Sequence, residues 1–307
     1  MKVFCHNFNP SSNSGPNKFS RQLFSSLIVN KKLELINNQK DADLEFALIS
    51  MSCEKRKPMI LRLDGIYFNS EQDFQEQNSP IRYAYEKSDC VIFQSKFNKN
   101  LTEKWFGPHK KNYVIHNAAC SETISKADPS IFDKIINKNL EVWSCASSWR
   151  PHKRLEGNLK YFCQFSNAKT VMIVAGKNAD IALVNKYSKL SNGRIIYVGE
   201  LDYFSLISLY KRSSKFIHLA FLDHCPNVVV DAQAIGCEIV CSSTGGTHEV
   251  VNKGRVIIED EWDFSPIKLY KPPVMNFENF YDIRKGKPLT LSEVSNMYHD
   301  VMKEVLK

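Results

Sequence analysis

Residues 214–251 read SKFIHLAFLDHCPNVVVDAQAIGCEIVCSSTGGTHEVV, and this stretch leaves room for little other than a β-loop-α-β crossover. The apolar run 216–221 predicts a buried strand, and 222–226 the loop leaving its carboxyl end. Pro226 blocks an earlier helix start, so Asn227 is expected as the N-cap of a helix over 227–235. Gly236, free to take positive φ, stops that helix, and the β-branched run 238–241 resumes as a strand.

The same alternation runs through the 307 residues. In the first half, strands are expected at 2–6, 44–50, 60–63, 90–94 and 112–116, with helices at 18–29, 81–87 and 99–105. The pattern weakens into a polar connection over 119–138 and restarts with strands at 141–146, 170–175 and 194–198, alternating with helices at 155–165, 181–190 and 203–212. A strand at 255–258 follows, then an irregular aromatic and proline-containing stretch, 261–288. A last helix begins where Thr290 and Glu293 form a capping box. This predicts an α/β chain of two domains with right-handed crossovers: 1–119 with the helix 290–307, and 120–289.

Composition narrows the class. No apolar run approaches the ~20 residues that span a bilayer, and the start, MKVFCHNFNPSSN, lacks the basic head and apolar centre of a secretory signal. A cytoplasmic location is expected. The nine cysteines are odd in number and show no C-x-x-C spacing, which fits buried free thiols. The net charge of +8 suits solubility, anionic lipid or nucleic acid alike. The densest basic patch, Glu54-Lys55-Arg56-Lys57, reads either as a solvated loop or as a membrane-facing rim giving loose, salt-sensitive contact on the inner face.

The chemistry concentrates after 140. The first turn of a helix offers unpaired N–H groups and a positive dipole end, so the loop before 227 is suited to a diphosphate. Asp223 in that loop and Asp231 in the helix, spaced D-x7-D, can accept hydrogen bonds from sugar or ribose hydroxyls. Arg150, Lys153 and Arg154 precede the helix at 155, a cationic loop matched to phosphate oxygens. Gly245 and Gly246 form a tight turn, and Gly15, in the turn-forming run SSNSGPNK, permits close approach of backbone to a ligand. His116, His152, His224 and His248 share no metal-ligand spacing such as H-x-x-x-H, and no metal site is expected.

LDHCPNVVVDA followed by STGGTHE resembles the donor-site signature of family 4 glycosyltransferases, in which two acidic residues, usually Glu, are separated by seven. Both are Asp here, one methylene shorter. The resemblance implies the GT-B fold, two Rossmann-like domains facing a central cleft, with the C-terminal helix crossing back to the first. It implies a retaining transfer, without a metal or other cofactor, from a nucleotide diphosphate sugar to a hydroxyl acceptor such as a glycan or lipid-linked glycan, and no nucleic-acid partner. Lys153 matches the family lysine, while Ser148 stands where the family arginine usually lies and Arg150 substitutes for it. In this reading Asp231 and Asn227 hold the donor with Gly15, Gly245 and Gly246. Asp223 and His224 position the sugar, Lys153 and Arg150 stabilise the leaving diphosphate, and Asp64 orients the acceptor. The rival readings are a non-catalytic nucleotide-sugar binding module and another GT-B enzyme, such as a nucleotide-sugar epimerase.

Overall fold

Strands covered on both faces need apolar residues at successive positions, and the N-terminal half supplies them. The computed structural model describes residues 1–12 and 14–307; Asn13, in the SSNSGPNK run, lies outside the described residues. The elements of the first half are β1 (Lys2–His6), α1 (Gly15–Val29), β2 (Glu34–Ile36), β3 (Leu44–Leu48), β4 (Met59–Leu63), α2 (Phe74–Lys87), β5 (Cys90–Phe93), α3 (Lys96–Phe106) and β6 (Asn112–Val114). All strands pair in parallel, in the order β2-β1-β3-β4-β5-β6. Every residue of β3, β4 and β5 is buried.

The second half contains α4 (Ser121–Lys126), β7 (Glu141–Ala146), α5 (Leu155–Phe165), β8 (Thr170–Ala175), α6 (Ile181–Leu190), β9 (Ile195–Gly199), α7 (Tyr203–Arg212), β10 (Lys215–His218), α8 (Asn227–Ile235), β11 (Glu238–Ser242), α9 (Thr247–Val250), β12 (Lys253–Ile257) and β13 (Phe280–Arg284), followed by α10 (Leu291–Val305). Its sheet runs β13-β12-β11-β10-β7-β8-β9 and is parallel except for the antiparallel edge strand β13. By contacts the chain forms two units: Met1–Ala118 with Asp263–Ile267 and Leu289–Lys307, and Ala119–Trp262 with Lys268–Pro288. The capping box of α10 is present: Thr290 Oγ1 accepts from the Glu293 N–H at 3.2 Å, and Glu293 Oε2 accepts from the Thr290 N–H at 2.7 Å. This helix packs on α1 and buries Tyr298 and Met302 in the first unit.

Several local expectations need correction, and helix α2 spans Phe74–Lys87 rather than 81–87, with Asp73 capping its start. Helix α1 starts at Gly15, not 18, because extended Ser14 precedes it and Pro16 is tolerated in a first turn, where its missing N–H costs nothing. The connection 119–138 is not merely polar coil but holds α4 and a 3-10 turn, Pro129–Phe132. The stretch 261–288 holds β13, and a further edge strand, β2, stands at Glu34–Ile36. Among the described residues, no helix is long and apolar enough to cross a membrane.

Candidate functional site

In open α/β sheets, ligands bind beyond the carboxyl ends of the strands. In the second unit that edge is organised around Asp223, five residues past the end of β10. Its Oδ2 accepts from Lys153 Nζ at 2.5 Å and from His218 Nε2 at 2.9 Å. Lys153 closes a 3-10 turn, Pro151–Lys153, ahead of α5, and His218 is the buried last residue of β10. Burial alone would raise the Asp223 carboxyl, but the Lys153 charge and the His218 hydrogen bond outweigh it and hold Asp223 well below the usual carboxylate range. Burial pushes His224 down to about 4 despite the Asp223 charge beside it, so this imidazole is neutral at pH 7.

The glycine turn is built against the same aspartate. Gly245 has φ of +76°, and a Cβ there would lie 2.5 Å from the Asp223 carbonyl oxygen and 2.7 Å from its nitrogen. The Gly246 N–H donates to that carbonyl at 2.7 Å. Backbone thus reaches the acidic loop where no side chain fits. Pro226, in extended backbone, occupies the cap of α8, and Asn227 is the first helical residue, which corrects its expected N-cap role. Asp231, a turn farther along α8, is buried and accepts from the Tyr203 hydroxyl at 3.2 Å.

The three cations of the 150–154 loop separate in their roles. Lys153 meets Asp223. Arg154, in left-handed backbone, forks onto Glu259 at 2.6 and 2.8 Å and lies over the Phe221 ring, a buried structural clamp. Arg150 is exposed and lines a cavity of about 400 Å³ with Trp149, Leu155, Pro273, Met275 and Phe277. Lys153, Asp223, Asp231 and Gly245 do not line that cavity, although Pro151 and Arg154, on the same loop as Lys153, do. In the first unit, Gly15 is the first residue of α1, and Asp64 follows β4. Asp64 is not an open carboxylate: it pairs with buried Arg62, which also donates to Asn117 Oδ1 at 2.9 Å and to the Tyr298 hydroxyl at 3.2 Å. Burial raises the Asp64 carboxyl while Arg62 and Gln94 pull it down, with a net rise.

His218 and Tyr203 were not expected as partners of the two aspartates. His218 left one signal, an imidazole inside an otherwise apolar strand, SKFIHLAF. Tyr203, 28 positions from Asp231, left none.

The buried imidazoles set a pH dependence. His152 stacks on Tyr270 at 5.5 Å, and burial, helped by Lys153, pushes it down to about 3. An unfolded histidine binds a proton below about 6.5. The unfolded chain therefore gains protons that the native one refuses, so the stability contributed by His152 is full above pH 6.5 and lost as pH falls toward 3. Asp223 acts in the same direction over a lower window: its contribution is full above 3.8 and is lost as pH falls from 3.8 through its lower native value. Urea midpoints should drop between pH 6.5 and 5, and the unfolding free energy should fall by on the order of a few kcal/mol in total on further acidification. The variant His152→Phe, which keeps the stack, should flatten that slope, and an unchanged slope would remove His152 as its cause.

Comparisons with known proteins bear on the fold and on the kind of protein this chain resembles. Residues 128–263, which include Lys153, Asp223, Asp231 and the glycine turn, match the family model described as glycosyl transferases group 1. An uncharacterized glycosyltransferase of Methanocaldococcus jannaschii is 24% identical over 253 residues, covering 77% of this chain. The chain spans 63% of the length of that curated relative. Among solved structures, sucrose-phosphate synthase from Thermosynechococcus elongatus superposes with a TM-score of 0.68 at 11% identity, over 99% of this chain and 90% of its own. HepE of Anabaena, in complex with UDP-glucose, does so with a TM-score of 0.60 at 14% identity, again over 99% and 90%. The fold is GT-B, with two Rossmann-like domains, and the resemblance to glycosyltransferases is borne out.

Proposed function

We propose that the chain is a retaining, metal-independent glycosyltransferase of the family 4 type, moving a sugar from a nucleotide diphosphate sugar to a hydroxyl of a glycan or lipid-linked glycan. The observation that carries this reading is the convergence of Lys153 and His218 on Asp223, against a glycine turn and ahead of α8. The group 1 match over the same residues supports it, as does the UDP-glucose held by the similar HepE. We place the reaction in the cytoplasm, with loose attachment to the inner face of a membrane through the basic loop.

A departing diphosphate develops negative charge that must be met by groups already in place. Lys153, paired with Asp223, is the cation for that task, and the positive end of the α8 dipole adds to it. Arg150, exposed on the same loop, contributes a second charge. Asp223 and neutral His224 position the sugar ring, Asp231 accepts from the ribose hydroxyls, and Asn227, Gly15, Gly245 and Gly246 complete the donor contacts. Asp64, oriented by Arg62, serves the acceptor.

Release of free nucleoside diphosphate that depends on added acceptor tests the proposal. Donor binding without such release identifies a binding module instead. Asp231→Asn should weaken binding of a nucleoside diphosphate about tenfold even with no sugar attached, as loss of a charged hydrogen-bond acceptor does. An unchanged dissociation constant by calorimetry would reject the ribose assignment.

A further inference from the structure

The first unit contains a nucleophile, a base and a carboxylate that the transfer reaction does not use. His6, at the end of β1, and Glu45, in β3, are both fully buried. The loop 49–58 passes over them and carries Cys53, the one cysteine of the nine that is exposed. His6 Nε2 meets Glu45 Oε2 at 3.1 Å, and His6 Nδ1 lies 3.8 Å from Cys53 Sγ.

Hydrogen-bond partners assign the tautomer. The Ser52 backbone N–H can only donate, and it points to His6 Nδ1 at 3.3 Å, so Nδ1 carries the lone pair and Nε2 the proton given to Glu45. Glu45 also accepts from Gln39 Nε2 at 2.9 Å and from the N–H groups of Arg56 and Lys57 at 2.8 and 2.9 Å. Four donors fix this carboxylate, which in turn fixes the ring. A thiol beside a basic nitrogen whose opposite side is held by a carboxylate is the arrangement of an activated nucleophile. The Ser52 hydroxyl, 3.2 Å from the same nitrogen, is a competing donor, so the base is shared rather than idle. Of the charged residues that follow Cys53, Glu54 accepts from the Tyr83 hydroxyl at 2.9 Å and Lys55 is paired with Asp89, while exposed Arg56 and half-buried Lys57 leave the loop with a net positive charge.

We propose that Cys53 is a thiol-modification site, activated by His6 and Glu45, that forms a mixed disulfide with small acidic disulfides. His6 Nδ1 takes the thiol proton, and the Cys53 sulfur attacks one sulfur of the incoming disulfide. The new S–S bond forms as the old one breaks, and the departing thiolate recovers the proton from His6. One disulfide is consumed and one is made, so no further oxidant is needed. The positive loop favours anionic reagents.

The test uses the reduced full chain and glutathione disulfide, with peptide mapping by mass spectrometry to read the rate at Cys53. A synthetic peptide of residues 49–58 supplies the rate of the same thiol without His6. The protein is expected to react about tenfold faster than the peptide at pH 7, with folded His6→Gln falling to the peptide rate. A protein rate equal to or below the peptide's overturns the proposal, as does full reactivity in folded His6→Gln. Should that variant fail to fold, the pH profile of the unaltered chain decides. Base assistance keeps its rate falling less steeply than the peptide's between pH 8 and 6.5, and parallel profiles overturn the proposal.

Discussion

Replacing Lys153 with alanine is expected to lower acceptor-dependent turnover by about 10²–10³-fold, the range seen when one preorganised group facing transition-state charge is deleted. The folded state should lose only about 2 kcal/mol, between the values for exposed and for fully buried pairs, since both partners keep some contact with solvent. His218 also remains to donate to Asp223. Removing the lysine raises Asp223 from its depressed value, because burial then acts against fewer opposing charges. Lys153→Arg should recover part of the rate by restoring the charge with a different reach. Two measurements decide the matter, turnover of a nucleotide diphosphate sugar and a urea midpoint on the same sample. Turnover within threefold of the original chain would end the phosphate role. A loss of turnover matched by general unfolding would leave Lys153 a structural residue.

What could be read in advance depended on how local each signal is. Strands β3, β4 and β5 are covered on both faces, so their composition alone marks them. Strands β2 and β13 lie at sheet edges, and β13 has one buried residue in five, which leaves no apolar run to detect. Helix ends were legible where a cap acts over three or four residues, as at Thr290, and misplaced at Gly15, where the turn-forming composition of SSNSGPNK masks a helix start. In the site, Asp223, Asp231, Lys153 and the glycine pair stand out through spacing within their own loops. Their partners do not: 70 positions separate Lys153 from Asp223 and 105 separate Arg154 from Glu259, so only the sheet order decides which cation meets which acid. The neighbouring residues Lys153 and Arg154 look interchangeable in sequence, yet the left-handed backbone at Arg154 turns it away to the Glu259 clamp.

Gly245→Ala should cost about 2–5 kcal/mol, and it should abolish donor binding at temperatures where the chain remains folded. Two costs add. A non-glycine residue at φ of +76° pays roughly 1–2 kcal/mol for left-handed backbone. The new methyl would also overlap the backbone of Asp223 and Leu222, at 2.5 to 2.9 Å, and forcing atoms apart in a packed region costs about 1–3 kcal/mol. The neighbour that must yield is peptide backbone, which cannot rotate aside as a side chain tip would. Moving it shifts the Asp223 carboxylate away from Lys153 and His218 together with the Gly246 hydrogen bond. Gly236 supplies the control, because its φ is +108° but no atom lies within 4 Å of where a Cβ would stand. Gly236→Ala therefore carries only the backbone term, about 1–2 kcal/mol, and leaves Asp223 in place. Chemical unfolding and nucleoside diphosphate titration of both variants separate the two contributions. Equal stability losses would show that the contact with Asp223 is not tight, and intact donor binding in Gly245→Ala would detach the glycine turn from the site.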